Sequence, residues 1–272
     1  MFNAFAHDLS LYGRLVLMQI RAQAQYKLNL TLDIFCSFAI TVLEFIAMLL
    51  FFVAFPNVLG WNIGEVALLT SIMSFCFGLA EMAGAGIENF AETIRHGEFD
   101  RVLLRPVNVV IQVVGSDFRL RRLGRMFQGL LGFGVALYLL PGLQWTIGKF
   151  LALALGIASG MLIFIAILFL GATICFWTIE TTELINSLYY GARTMLSYPM
   201  TIYDRGLQGF FLFVVPVAFG SYLPTCYILG KTLPFDLPRG LVFASPFAAC
   251  AFALIAGLIW SFGVRHYQSS GS

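Results

Sequence analysis

Glu44 is the side chain of this sequence best placed to do chemistry, because it lies in the middle of a long apolar run over 30–55. In a bilayer, an ionised side chain at that depth costs about 2.5–3.5 kcal/mol on insertion scales, so it must face protein or a water-filled cavity. Two interpretations stay open. Glu44 lines a path for a cationic or polar compound, or it is a structural carboxylate hydrogen-bonded to a neighbouring helix. Glu81, Glu180 and Glu183 lie nearer the ends of their helices, where interfacial water or loop arginines are expected to solvate them.

Motifs of catalysis and of metal binding do not occur in this sequence. The chain has no GxxxxGK[ST] phosphate-binding loop, no HExxH and no GxSxG. The tripeptide Gly230-Lys231-Thr232 ends like a phosphate-binding loop, but Thr225 stands where the first glycine would be. The five cysteines show no CxxC spacing and the three histidines are far apart, so no metal site and no cofactor are predicted. We therefore expect a chain that is not itself an enzyme.

The composition predicts an all-α membrane protein with six transmembrane helices. Of the 272 residues, 60% are hydrophobic and 11% are charged, with a mean hydropathy of +0.87. A soluble domain carries about 45–50% apolar and about 25% charged residues, and a membrane-spanning helix takes about 20 residues. Gly156 and Gly160 form a GxxxG spacing, which indicates close packing within the bundle. The predicted spans are 30–55, 64–86, 126–141, 148–177, 209–229 and 241–264.

An amphipathic segment precedes the first span. Polar residues recur over 3–27 close to a helical period, with apolar residues between them, which is typical of a helix lying on the membrane surface. The alternative is a helical lead-in to the first span. The predicted organisation is a cytoplasmic amphipathic segment over 1–29, a transmembrane domain over 30–265 and a cytoplasmic tail over 266–272.

The distribution of Lys and Arg predicts the orientation, because positively charged residues collect in cytoplasmic loops. Thirteen of the 16 lie in the N-terminal segment, in the loops after the second and fourth spans, and in the tail. Lys149, Lys231 and Arg239 lie on the other side. Both termini are therefore predicted to be cytoplasmic. Seven arginines in one loop favour contact with lipid phosphates or an acidic partner over nucleic acid, because no aromatic residues alternate with them.

The loop over 87–125 is the most informative cytoplasmic segment. It begins as a short amphipathic helix that ends at Gly97 and carries Phe90 and Ile94 on one face. A helix of this kind between two spans can receive force from another protein; the alternative is an inert surface loop. The charged residues of the helix lie on its other faces: Glu88, Glu92 and Arg95.

Two stretches of the chain resemble a known family. The run GEFDRVLLRPVN over 97–108 is similar to the Gly-Glu-Leu-Asp and Leu-Leu-Arg-Pro pattern of bacterial ABC-type exporter permeases of the type-2 ABC membrane class. Residues 183–231 match a longer series of that class, although Asp204-Arg205-Gly206 departs from it where relatives often carry Pro and Trp. The matching motifs of the second stretch are Tyr198-Pro199, Ile202-Tyr203, Pro216-Val217-Ala218-Phe219 and Tyr222-Leu223-Pro224.

The resemblance implies the permease subunit of an ATP-driven exporter in the bacterial cytoplasmic (inner) membrane. Such a subunit pairs with a separate ABC ATPase, which binds ATP and magnesium, and with a second permease as a homodimer or heterodimer. The resemblance places a coupling helix at about Ile87 to His96, resting in a groove of the ATPase. The residues implied in coupling are Glu88, Phe90, Glu92, Ile94, Arg95, Asp100 and Arg101.

The substrate and the energy source leave alternatives. The chain is 15% aromatic, which suits a small amphipathic or cationic compound moving past Glu44. An ion-gradient-driven secondary transporter is the alternative function, although such proteins are typically built from inverted repeats, and the sequence shows no clear repeat. An intramembrane enzyme is ranked last, because the spans offer no pair of catalytic side chains.

Overall fold

The structure, a computed structural model, consists of helices and one short hairpin. It describes the backbone of residues 2–55, 57–178 and 182–267, and the side chains of these except 2–7, 9 and 182–185, so the side chains of Glu180 and Glu183 lie outside the described part. The strands pair Asn57 with Asn62 and Val58 with Trp61. The elements are α1 (Phe2–Gln25), α2 (Lys27–Ala54), β1 (Asn57–Val58), β2 (Trp61–Asn62), α3 (Ile63–Ala83), α4 (Ala85–Glu88), α5 (Phe90–Arg95), α6 (Phe99–Leu103), α7 (Val109–Val114), α8 (Leu123–Leu139), α9 (Ile147–Ile174), α10 (Thr182–Leu196), α11 (Arg205–Gly209), α12 (Tyr222–Leu229) and α13 (Ser245–Arg265).

Four helical segments of the described chain are long and apolar enough to cross a membrane. They are α2, α3, α9 and the segment Arg239–Arg265 that contains α13. Helices satisfy every backbone polar group internally, which the hydrocarbon of a bilayer demands. Side chains fix two of their starts: Asn62 and Glu65 form a reciprocal capping box at α3, and Thr146 accepts from the Lys149 N–H at α9. The all-α membrane class is confirmed, and helices α2, α3, α8, α9 and α13 lie where the first four and the sixth spans are predicted. Because α8 is not among the four candidates, the number of six spans stays a prediction.

The predicted fifth span over 209–229 is wrong as a continuous helix. The chain there divides into the end of α11, a π-helical turn over Phe210–Val214, a 3₁₀ turn over Val217–Phe219, and α12. Pro216 and Pro224 lack the backbone N–H that a helix interior needs, and Pro216 breaks the chain between two of these pieces. The loop predicted between the fourth and fifth spans instead contains the helix α10. This helix packs against α9 and α3.

The bundle has two ends, which we name by their contents. The arginine-rich end consists of residues 84–122 and the ends of α9 and α13 that contact them. The hairpin end consists of β1, β2 and residues 140–146 and 230–244. At the hairpin end, Lys231 joins the elements: its ammonium lies 3.0 Å from the Glu65 carboxylate and 4.7 Å from the centre of the Trp61 ring.

Close packing of α9 on the 220–229 segment confirms that the GxxxG spacing serves the bundle interior. A Cβ on Gly156 would lie 2.2 Å from the Pro224 side chain, and one on Gly160 would lie 2.4 Å from the Cys76 sulfur and 2.7 Å from the Gly220 Cα. Only glycine lets these backbones approach so closely. The broken segment is therefore packed into the bundle beside α9.

The predicted N-terminal helix exists as α1, which lies against the arginine-rich end. The Gln19 side chain donates to the Ser116 carbonyl at 2.7 Å, and the Gln23 side chain accepts from the Leu120 N–H at 3.0 Å. Tyr26 alone separates α1 from α2. These bonds fix the direction in which α1 leaves the bundle.

Candidate functional site

Glu44 pairs with Arg193 at the wall of a cavity. The Arg193 Nη2 lies 2.6 Å from the Glu44 Oε2, and the guanidinium is 17% exposed while the carboxylate is 47% exposed. The arginine therefore lies behind the carboxylate, whose free edge is open. The sequence placed Arg193 in a loop, which is wrong: Arg193 lies on α10, opposite the second half of α2.

The cavity lies between α2, α3, α8 and α10, has a volume of about 340 Å³, and is lined by both polar and apolar groups. Several hydroxyls donate their protons to backbone carbonyls, three of them one turn back in the chain and that of Thr70 at Ser197, so their oxygens face the cavity as acceptors. The Gln128 side chain is buried, and its amide nitrogen has no hydrogen-bond partner among the described residues. Hydroxyls that donate to the backbone in this way belong to Thr41, Thr70, Thr194 and Ser197.

A second ionic cluster lies deeper and has its acid fully buried. Glu81 on α3 has a side chain with no exposed surface, 3.1 Å from Arg122 and 3.0 Å from Arg125. The Arg125 guanidinium also lies 5.3 Å from the centre of the Phe77 ring. The expected pairing of Glu81 with loop arginines is confirmed, but Glu81 lies in the protein interior. Sequence alone could have found this triad only through the Arg122 and Arg125 spacing at the start of a span.

The stretch predicted as one coupling helix, Ile87 to His96, consists of the end of α4 and the whole of α5, and α6 follows it after Gly97. Phe90 is 1% exposed and packs edge-on or tilted against Phe99, Phe176 and Trp260, with ring centres 4.9–5.5 Å apart. Ile94 is buried on the same face. The predicted amphipathic character is confirmed, and Phe90 and Ile94 hold the helix to the bundle.

The charged residues of this region divide into exposed and inward-facing groups. Glu92 lies 2.9 Å from Arg95, and both side chains are more than half exposed. Glu88 faces the protein, where it lies 2.6 Å from Arg119. Arg101 is exposed.

Asp100 lies near the end of α13. Partial burial and the neighbouring Asp100 carboxylate together raise the pKa of Tyr267 above its ordinary value. The neighbouring Phe99 ring packs edge-on against Tyr267 with centres 4.9 Å apart, which joins α6 to the end of α13. The Asp100 side chain is partly buried beside Tyr267.

The comparison with protein families decides the class. Residues 38–271 match the family described as ABC-2 family transporter protein. The chain belongs to the ABC-2 transporter family. As an ABC-2 protein it is a membrane subunit of an ABC transporter, distinct from the ATPase subunit with which the family pairs. Neither the curated proteins nor the solved structures gave a match to this chain.

The ABC-2 match covers the region in which the sequence motifs lie. The Leu103-Leu104-Arg105-Pro106 run forms the exposed turn between α6 and α7, and Tyr198-Pro199 ends α10. Pro216 and Pro224 lie in the broken segment that packs on α9. The motifs thus mark turns and helix breaks rather than cavity-lining groups, apart from Tyr198, which lines the Glu44 cavity.

Proposed function

We propose that this ABC-2 subunit exports a small amphipathic or cationic compound through the cavity at Glu44. The observation that carries the proposal is the half-exposed Glu44 carboxylate at a cavity of about 340 Å³ among four helices. The acceptor-rich wall suits a ligand with N–H donors or positive charge. Phe45 and Met48 add apolar surface to the same wall, which suits the hydrophobic part of an amphipathic compound.

The ATPase is proposed to bind the exposed face of α5 and its flanks. Glu92, Arg95 and Arg101 are exposed there, whereas Phe90 and Ile94 contribute indirectly by fixing the helix to α9 and α13. ATP and magnesium would bind on that partner. The charged face offers both signs, which favours a specific orientation of the two proteins.

The arginine-rich end is proposed to be cytoplasmic, with both termini on that side. The arginine-rich end keeps its excess of Lys and Arg when Arg193 is left out of the count. The excess also remains when Arg205, the first residue of α11, is counted with the nearby hairpin end. Phe213, just past α11, packs its ring on Phe235 with centres 5.9 Å apart. The arginines of residues 84–122 and of α1 still outnumber the basic residues of the hairpin end.

A second permease, identical or related, is proposed to close the cavity. In the apolar stretch of α2 that is long enough to cross a membrane, only 17% is buried, against 72% in the corresponding stretch of α3. The exposed side of α2 carries Ile40, Ala47 and Phe51 together with Glu44. Lipid is a poor neighbour for a carboxylate, whereas the same face of a second subunit encloses it.

The proposal is tested with everted membrane vesicles from native cells, using tetraphenylphosphonium as a cationic amphipathic probe. With a protonophore present, ATP is expected to drive accumulation that vanadate blocks and that is absent from cells lacking the chain. The Glu44→Gln variant is expected to lower the rate about tenfold, equivalent to about 1.4 kcal/mol. Accumulation that survives vanadate but disappears with the protonophore would instead support the ion-gradient alternative.

A further inference from the structure

One face of α10 touches both the coupling region and the cavity. The Tyr190 hydroxyl donates to the Glu88 Oε1 at 3.3 Å, and the Arg193 Nη2 donates to the Glu44 Oε2 at 2.6 Å. Residues three apart on a helix lie on the same side, about one turn along the axis. A single short helix thus holds one group at each region.

Each of these contacts is anchored on its far side. Glu88 is the last residue of α4, immediately before α5, and its second carboxylate oxygen lies 2.6 Å from Arg119. At the cavity, the Arg193 guanidinium lies 5.9 Å from the centre of the Phe77 ring on α3. Displacement of α4 therefore changes the hydrogen bond between Glu88 and Tyr190, and displacement of Arg193 changes its ion pair with Glu44.

The structure of α10 allows it to move as one piece. It ends at Leu196, and the chain then turns at Tyr198-Pro199 rather than continuing as a helix. By contrast, α3 and α8 are joined at the same level by the buried Glu81 with Arg122 and Arg125. A buried ion cluster of this kind is costly to break, so α3 and α8 are expected to move together. The helix α10 meets α3 through ring contacts of Phe77 and one hydrogen bond from Thr70 to the Ser197 carbonyl, which cost less to shift.

We propose that α10 transmits movement between the ATPase-contacting region and the cavity, with Tyr190 and Arg193 as its positioning residues. This inference rests on the proposed function, because it assigns a route to the coupling that an ABC transporter requires. When the ATPase displaces α5, Glu88 moves with it and displaces α10 through the hydrogen bond of Tyr190. The distance between Arg193 and Glu44 then changes. The cavity carboxylate is thereby exposed or covered in step with ATP binding.

The experiment places a fluorescent reporter in the cavity wall. The chain is purified with its ATPase, reconstituted in lipid nanodiscs, and labelled with bimane at Ala47→Cys after the exposed Cys36 and Cys250 are replaced by Ser. Trapping with ATP and vanadate is expected to shift the bimane emission in the otherwise wild-type complex. Tyr190→Phe removes only the hydroxyl. It is expected to reduce the shift about fivefold, the factor that a hydrogen bond of ordinary strength supplies, while ATP hydrolysis stays within about twofold.

A matched control and a second variant make the result specific. Tyr227→Phe is the same change in α12 near the hairpin end, away from both Glu88 and Glu44, and it is expected to keep the full shift. Glu88→Leu is expected to lose the shift as Tyr190→Phe does. The double variant Tyr190→Phe with Glu88→Leu is expected to be no worse than Glu88→Leu alone, because Glu88→Leu already removes the contact that the Tyr190 hydroxyl makes.

The outcomes separate the two levels of the account. A full emission shift in Tyr190→Phe overturns the role of α10 and leaves the exporter proposal standing. Equal loss in Tyr190→Phe and Tyr227→Phe also overturns it, since the effect is then one of general packing. Absence of any ATP-dependent shift in the wild-type complex overturns the exporter proposal together with the role of α10.

Discussion

Two glutamates in neighbouring helices have different environments, and their environments determine what each can do. The Glu81 side chain has no exposed surface and forms ion pairs with two arginines, whereas the Glu44 side chain is 47% exposed and pairs with one. The first is built into the protein; the second is available to a ligand. Sequence reasoning identified Glu44 by its depth in a span. It did not foresee Arg193 as the partner, because that contact joins residues 149 positions apart.

The same substitution at the two glutamates is predicted to have unequal effects on stability. Glu81→Gln leaves Arg122 and Arg125 without a buried counter-charge, which costs about 3–5 kcal/mol. Glu44→Gln breaks a half-exposed pair, which costs less than about 1 kcal/mol. Thermal unfolding of the detergent-purified variants measures the difference. Similar midpoints for Glu81→Gln and Glu44→Gln would contradict the assigned environments.

At the scale of the element, hydropathy predicted the long apolar helices and missed α10. Uninterrupted apolar runs located α2, α3, α8, α9 and α13, because lipid selects for such runs along a whole helix. The helix α10 mixes polar and apolar residues, since its polar side faces the cavity and α3. The apolar stretch over 209–229 is not one continuous helix, because Pro216 interrupts it and Gly220 lets it pack tightly on Gly160.

The packing of α9 on the broken segment predicts an effect of a single methyl group. Gly160→Ala places a Cβ 2.4 Å from the Cys76 sulfur and 2.7 Å from the Gly220 Cα. Overpacking of this kind costs about 1–3 kcal/mol. The matched control is Gly134→Ala in α8, where nothing lies within 4 Å of the added carbon. A lower unfolding temperature for Gly160→Ala alone is expected, and equal temperatures for both variants would refute the tight crossing.

The exposed face of α5 predicts a substitution that affects the partner and spares the chain. Glu92→Lys loses only an exposed pair with Arg95, which is worth about 0–1 kcal/mol, so the unfolding temperature is expected to stay constant. The amount of ATPase that co-purifies is expected to fall about tenfold, equivalent to about 1.4 kcal/mol. Lys149→Glu at the hairpin end is the control charge reversal. Undiminished ATPase with Glu92→Lys would place the docking surface elsewhere.

At the scale of the whole molecule, the chain is a bundle whose working parts lie at different levels. The exposed face of α5 is at the arginine-rich end, the Glu44 cavity lies further along the bundle, and α10 touches both regions. The membrane class followed from composition and the family from sequence motifs, and the region proposed to contact the ATPase was chosen from the same motifs and the basic residues. The cavity could not be predicted, because it depends on contacts between helices distant in the chain.

The most direct measurement is the composition of the complex that this chain forms in its own membrane. The chain is purified in mild detergent from native cells, and its associated proteins are identified and quantified. The account predicts an ABC ATPase in stoichiometric amount, with ATP hydrolysis that vanadate inhibits. A monodisperse chain without any ATPase would contradict it, and would make Glu44 the site of an ion-gradient-driven transporter.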